Sequence, residues 1–269
     1  MRARARRLLL RLLHAPARRA VPVLRLWRAV LGASVVLGLQ AGFGWATAAE
    51  RIVAARFAEP TSRYQHGVFG DSLEWGALVL TLGACAGCTP SSAHEVTIRL
   101  PKTRVFEDNA PRLFAGNDGH PLVMVVETDL SRGARLSVYA ARGLVAATPF
   151  IGRPQRWLAP IGAADLDGDG RVELAYIDRP HLAKTLRIWR LEPSGLREVA
   201  SAGGLTNHQF GWDFIAGGLR DCANGPEIIV ASADWQHVVA VRFTGGGLQK
   251  RIVAQHASPA ALGAALTCP

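Results

Sequence analysis

The stretch Asp165-Leu166-Asp167-Gly168-Asp169-Gly170-Arg171-Val172-Glu173 places oxygen ligands at alternate positions around two glycines. A hard cation such as Ca²⁺ takes six to eight oxygens, which a tight turn supplies from side chains at positions 1, 3 and 5, a carbonyl at 7 and a closing carboxylate. Asp165, Asp167, Asp169, the carbonyl of Arg171 and Glu173 stand at those positions. An EF-hand would need a bidentate Glu at position 12, where this chain has Tyr176, and helices on both sides. The flank Val172-Glu173-Leu174-Ala175-Tyr176-Ile177 is instead apolar and β-favouring, so the loop joins strands.

Working outward, the strand after this loop belongs to a unit that recurs. Leu122 to Glu127 through Leu136 to Tyr139, Glu173 to Asp178 through Leu186 to Trp189, and Glu227 to Ala231 through Val239 to Phe243 each read as a hairpin. The anchors Pro121, Val172 and Pro226 lie 51 and 54 residues apart, a period suited to propeller blades. A more worn copy starts at Gly67, with strands at 76–82 and 96–100. One such hairpin cannot bury its apolar faces, and radial stacking solves that problem. The expectation is an all-β fold, a small β-propeller of four or five blades. Residues 50–64 and 251–269 are expected to combine into a further sheet. A β-sandwich or an open β-solenoid is the alternative.

The DxDGDGxxE loop within a repeated hairpin resembles the FG-GAP or VCBS repeat of integrin-type β-propellers, in a bacterial exported form. The resemblance covers residues 64–245, with the specific motif present once. It implies one calcium, held by Asp165, Asp167, Asp169, Arg171 and Glu173, in a structural role. The matching loops at Asp118-Gly119 and at 217–225 lack the acids and are expected to hold no ion.

Residues 1–49 read as a secretory signal: nine arginines without an acid, an apolar run over 29–43, then Ala46-Thr47-Ala48-Ala49. The run is short for a bilayer and broken by Gly32, Gly38, Gln40 and Gly42, so no stable membrane span is expected in the mature chain. Removing nine arginines from the formal charge of +10 leaves +1 on residues 50–269, which takes away any case for nucleic-acid binding. Residues 50–269 are therefore expected to form a single repeat-built domain in the periplasm or outside the cell.

Four cysteines in an exported chain suggest disulfides. A local clip between Cys85 and Cys88 and a bridge from Cys222 to Cys268, tying down the apolar tail, are the expected pairs. Zinc lacks a second ligand pair, and thioredoxin-like chemistry lacks the helix it needs.

Equivalent loops of a propeller gather at one end. Asp129, Asp178 and Asp234 follow the first strand of their hairpins, and His181, His208 and Asp213 lie in or near such connections, so these six are the candidate partner-binding residues. Turn chemistry for the aspartates, and packing for Trp212 and Trp235, is the simpler reading. Two functions follow as expectations. One is a calcium-stabilised, non-enzymatic module that holds an extracytoplasmic protein or saccharide. The other is a hydrolase or lyase working at the propeller mouth, with Asp178, His181, His208 and Asp213 as acid-base groups. Convergent, desolvated carboxylates and histidines in a pocket would favour the enzyme.

Overall fold

The computed structural model describes residues 51–83 and 93–268, which all belong to one compact unit, Thr47–Pro269. Residues 1–49, expected to form a leader, and the expected Cys85–Cys88 clip lie outside the described residues.

Seventeen strands and one short helix make up the described chain. Strands β1 (Arg51–Thr61), β2 (Glu74–Gly83) and β3 (His94–Arg99) form the first sheet, with β2 in the middle. The second contains β4 (Arg104–Phe106) and β5 (Arg112–Ala115), which together edge β6 (Pro121–Asp129), followed by β7 (Gly133–Ala140) and β8 (Gly143–Ala147). The third is the meander β9 (Leu158–Ala164), β10 (Glu173–Asp178), β11 (Thr185–Glu192) and β12 (Gly195–Gly203). The fourth repeats the second: β13 (Leu205–Thr206) and β14 (Gly218–Cys222) both pair with β15 (Gly225–Ser232), then come β16 (His237–Thr244) and β17 (Gly247–Gln255). All pairings are antiparallel, and a single pair, Trp75 with Phe106, links the first two sheets.

These four sheets are propeller blades. The inner strands β5, β9 and β14 touch in succession, as do the outer strands β8, β12 and β17. The central strands show why the sequence stacks this way. On β6, Val123 and Val125 face a core shared with the first blade, while Met124 and Val126 face the third. On β10, Leu174 and Tyr176 face back and Ala175 and Ile177 face forward. Burial of every residue of β10 reflects this two-sided packing, and each fully buried Leu, Ile or Val contributes roughly 1.5–3 kcal/mol. β11 alternates buried with half-buried residues, whereas β7 and β16 are buried on both faces along most of their length.

Three successive cores between four sheets rule out a two-sheet sandwich. Each repeat closes its own meander instead of adding strands to a shared coil, which sets the solenoid aside. The expected sheet from 50–64 with the tail does not form. β1 pairs with β2, β17 is the outer strand of the fourth blade, and the tail turns into α1 (Pro259–Ala264). The Ser258 side chain caps α1, and Leu262 is buried against Ile229, Ala231 and Val238. The bond between Cys222 and Cys268 fastens this tail to β14, as the sequence predicts.

Candidate functional site

The acidic loop joins β9 to β10. Asp165, Asp167 and Glu173 bring carboxylate oxygens within 4.8 Å of one another. Asp165 accepts the backbone N–H groups of Gly168, Asp169 and Gly170, at 2.8, 3.0 and 2.8 Å, which winds the turn. Asp169 turns to Arg171, which holds its carboxyl below the usual carboxylate range. The sequence did not announce Arg190. From β11 its guanidinium reaches Glu173 Oε1 at 2.5 Å, Asp167 Oδ2 at 2.7 Å and Asp169 Oδ2 at 3.0 Å. Burial outweighs this partner at Glu173, whose carboxyl is raised.

Two facts test whether a cation fits here. Four carboxylates against Arg171 and Arg190 leave two negative charges. Asp167, with a side chain only 6% exposed, also keeps Oδ1 buried and without a partner. Asp165, Asp167 and Glu173 therefore fit a divalent ion, which would supply positive charge and a partner for Asp167 Oδ1.

A second site lies where the inner strands of adjacent blades are broken. Between β4 and β5 the chain bulges through Glu107-Asp108-Asn109-Ala110-Pro111, where Pro111 has no N–H for the ladder. β9 carries a bulge around Ile161. Between β13 and β14 the excursion 207–217 leaves the sheet, and it returns at Gly217. There φ is +76° and a Cβ would stand 2.1 Å from the Ile229 oxygen, so only glycine fits. Side chains stitch these breaks together. Trp157 Nε1 donates to the Glu107 carbonyl at 2.9 Å, and Asn207 Nδ2 donates to the Ala159 carbonyl at 3.3 Å.

Glu107 is fully buried. Burial raises its carboxyl against hydrogen bonds from His66 and Thr128. Its oxygens are accounted for one by one. The Thr128 hydroxyl donates to Oε2 at 2.5 Å, and His66 Nδ1 lies 2.6 Å from Oε1 with one proton between them. Glu74, at the start of β2, is also buried, and that desolvation with the nearby charge of Glu107 pushes its carboxyl up to about 9. Asp108 beside them is held by both oxygens to Arg112.

The histidines complete the arrangement. A backbone carbonyl only accepts, so His208 Nε2–H donates to Trp212 O at 3.0 Å, and a neutral His208 then accepts at Nδ1 from His181 Nε2–H at 2.9 Å. Burial lowers both imidazoles, His181 to about 4, so both are neutral near pH 7. This relay leaves Nδ1 of His181 with a lone pair. His181 packs on Phe210, ring centres 3.9 Å apart, and His208 meets Trp157 edge-on at 5.1 Å. His66, Arg156, Trp157, Arg179, His181 and Phe210 border one open pocket of about 280 Å³.

Of the six residues expected at a binding face, the structure brings together His181 and His208. Asp129 caps its turn through Ser131 and Arg132, and Asp234 does so through Ser232 and Gln236. Asp178 is held by Arg179 and Arg187, which outweigh its burial and keep its carboxyl below the usual range. Asp213 is exposed on the excursion. The aspartates thus serve turns and ion pairs, and Trp212 and Trp235 pack edge to face at 5.1 Å. Sequence reasoning missed His66, Glu74, Glu107 and Trp157. The one signal available was Glu107-Asp108 directly after the apolar Val105-Phe106, an acid pair where a strand should continue inward.

No protein-family model matches the chain, and no curated protein matches it. Among solved structures it is similar to an engineered GH43 glycoside hydrolase with endo-xylanase and exo-arabinofuranosidase activity, at 16% identity and a TM-score of 0.32. That match covers 74% of this chain and 40% of the other, so this chain spans less than half of that enzyme. A likeness so slight transfers no activity.

Proposed function

We propose that the pocket between the broken inner strands is an acid-base catalytic site, and that the protein acts as an exported hydrolase or lyase. The observation that carries this reading is the convergence of the His66 and Glu107 pair with the neutral His181 on one pocket. Such convergence is what a catalytic site needs and what a flat binding face lacks.

The chemistry follows from proton positions. With Glu107 ionised and Nδ1 of His66 protonated, Nε2 of His66 offers a lone pair and serves as a base. With one more proton on the pair, Nε2 carries it and serves as an acid. Burial of Glu107 makes its bare charge costly and raises its carboxyl, which favours a proton shared between it and His66 Nδ1. His181 stays neutral, with its tautomer set by His208, and offers Nδ1 as an acceptor. Two imidazoles with different proton occupancy divide the acid and base roles of a bond cleavage between them. Glu107 acts through His66 and is a positioning residue.

The calcium reading supports this function from a distance. The loop resembles FG-GAP or VCBS loops, and a divalent ion at Asp165, Asp167 and Glu173 would brace β9, the strand that begins beside Trp157. Held by protein oxygens in a turn between two strands, such an ion would be structural.

Chromogenic glycosides, esters and acidic polysaccharides, the last read by ultraviolet absorbance of unsaturated products, test the proposal. Turnover that is lost in His66→Ala and in His181→Ala, but kept in Asp213→Ala, is expected. Absence of turnover on every class, while a saccharide or protein still binds, would return the protein to the non-enzymatic reading.

A further inference from the structure

Charge around the pocket is uneven. Asp178 neutralises Arg179 with two hydrogen bonds, at 2.8 and 2.9 Å, and Glu107 sits behind His66 without touching the cavity. Arg156 is different. Its guanidinium makes one described hydrogen bond, from Nη1 to the Gln155 carbonyl at 2.9 Å, and no ion pair among the described residues. An arginine without a carboxylate at the edge of a pocket is an anion-binding group in search of its anion.

The backbone holds it in place. Gln155 has φ of +51°, a conformation non-glycine residues adopt at a cost, and its N–H donates to the Tyr64 hydroxyl at 2.8 Å. The Arg156 carbonyl accepts from Ala134 N at 2.8 Å, over Gly133, where a Cβ would stand 2.3 Å from the Arg153 oxygen. On the neighbouring strand end Arg179 also has a positive φ, +46°, and donates its N–H to the Trp157 carbonyl at 3.0 Å. Two positive-φ residues at one end of the third blade, each tied by hydrogen bonds, fix the backbone that carries Arg156.

Much of the remaining wall is apolar. Phe210 is 78% exposed although its ring lies against His181, and Leu182, which lines the same pocket, is 65% exposed. An exposed ring that lines the same pocket as an unpaired cation calls for a ligand with a flat apolar face and one negative group.

We propose that this site takes a ring-bearing carboxylate, its carboxylate on Arg156 and its ring against Phe210. This rests on the catalytic reading of the same pocket and names its substrate class. Two sources share that chemistry, a sugar acid and an aromatic acid. For the first, His66 Nε2 would meet a ring whose carboxylate Arg156 already holds.

Calorimetric titration of the full mature chain with galacturonate, benzoate, galactose and inorganic phosphate tests the assignment. Binding of galacturonate or benzoate, with galactose at least about tenfold weaker, is expected. Arg156→Met should weaken the acid about tenfold or more and leave galactose unchanged, while Arg156→Lys restores part of the loss. Galacturonate ahead of benzoate identifies the sugar acid, and the reverse order the aromatic acid. Equal binding of galactose and galacturonate, phosphate binding alone, no binding of either acid, or affinity indifferent to Arg156→Met overturns the proposal. His66→Ala separates it from catalysis, because that variant should lose turnover and keep carboxylate affinity. Carboxylate binding without turnover would sink the catalytic reading alone, and turnover of neutral substrates unaffected by Arg156→Met would sink this one alone.

Discussion

Trp157, one residue before β9, donates its indole N–H to the main-chain carbonyl of Glu107, 2.9 Å away at the break in the inner strand of the preceding blade. One bond thus ties two blades together at the point where the buried carboxylate leaves its strand. Replacing Trp157 with Phe keeps much of the ring and leaves the Glu107 carbonyl without that donor. The expected loss is about 1–3 kcal/mol in urea denaturation, the cost of an unpaired buried group. The His66 proton exchange should also quicken by NMR, since the carboxylate loses its fixed seat. Unchanged stability would mean that the indole contributes packing alone.

Glu74 makes stability depend on pH in the direction opposite to a salt-bridged carboxylate. In the unfolded chain it ionises near 4.5, while in the fold it keeps its proton to about 9, so between those values the native state binds the extra proton and stability falls as pH rises. His181 acts the other way. It titrates at 6.5 when unfolded and about 4 when folded, so between about 4 and 6.5 the unfolded chain binds the proton and stability rises with pH. The two offset each other up to about pH 6.5, and the Glu74 slope, at most about 1.4 kcal/mol per unit, remains from there to 9. Glu74→Gln should flatten that alkaline limb in denaturation curves at pH 7 to 9. Parallel slopes in the variant and the parent would contradict the assignment.

At the acidic loop, calcium should raise the melting temperature and a chelator should reverse the rise. Asp167→Ala removes the orphaned Oδ1 and should abolish the gain. Arg190→Met tests the shared charge. It leaves Glu173 and Asp167 without their guanidinium, and should lower stability without calcium more than with it. Identical melting curves of the parent with calcium and with chelator would remove the ion from the protein.

The tail should come loose without its bridge. Cys222 and Cys268 close a span of 46 residues, and Cys268→Ser should cost about 2–4 kcal/mol. Hydrogen exchange should quicken first in α1 and at Ile229 and Val238, the face that Leu262 covers. Uniform exchange across all four blades would show instead that the bond acts on the whole domain.

The hairpins, their period and the acidic loop were legible in the chain because they are local: strand alternation, glycine turns and ligand spacing all lie within a few dozen residues. The bond from Cys222 to Cys268 was legible too, since an apolar stretch that would expose its leucines unless pinned carries Cys268, and the last repeat carries Cys222. The pocket was not. His66 comes from the stretch between β1 and β2, Glu107 from the break after β4, Trp157 from the approach to β9, His181 from the turn between β10 and β11, and His208 from the excursion after β13. No spacing links these positions, and only the packing of inner strand on inner strand sets them side by side. Arg190 was hidden for the same reason. It stands opposite Glu173 through the register of β10 and β11, a pairing in which carboxylate and guanidinium meet only when the sheet has formed. Local sequence thus decided what the repeating unit is, whereas burial between units decided which acids lose water, which imidazoles stay neutral and where a cation is left without a partner.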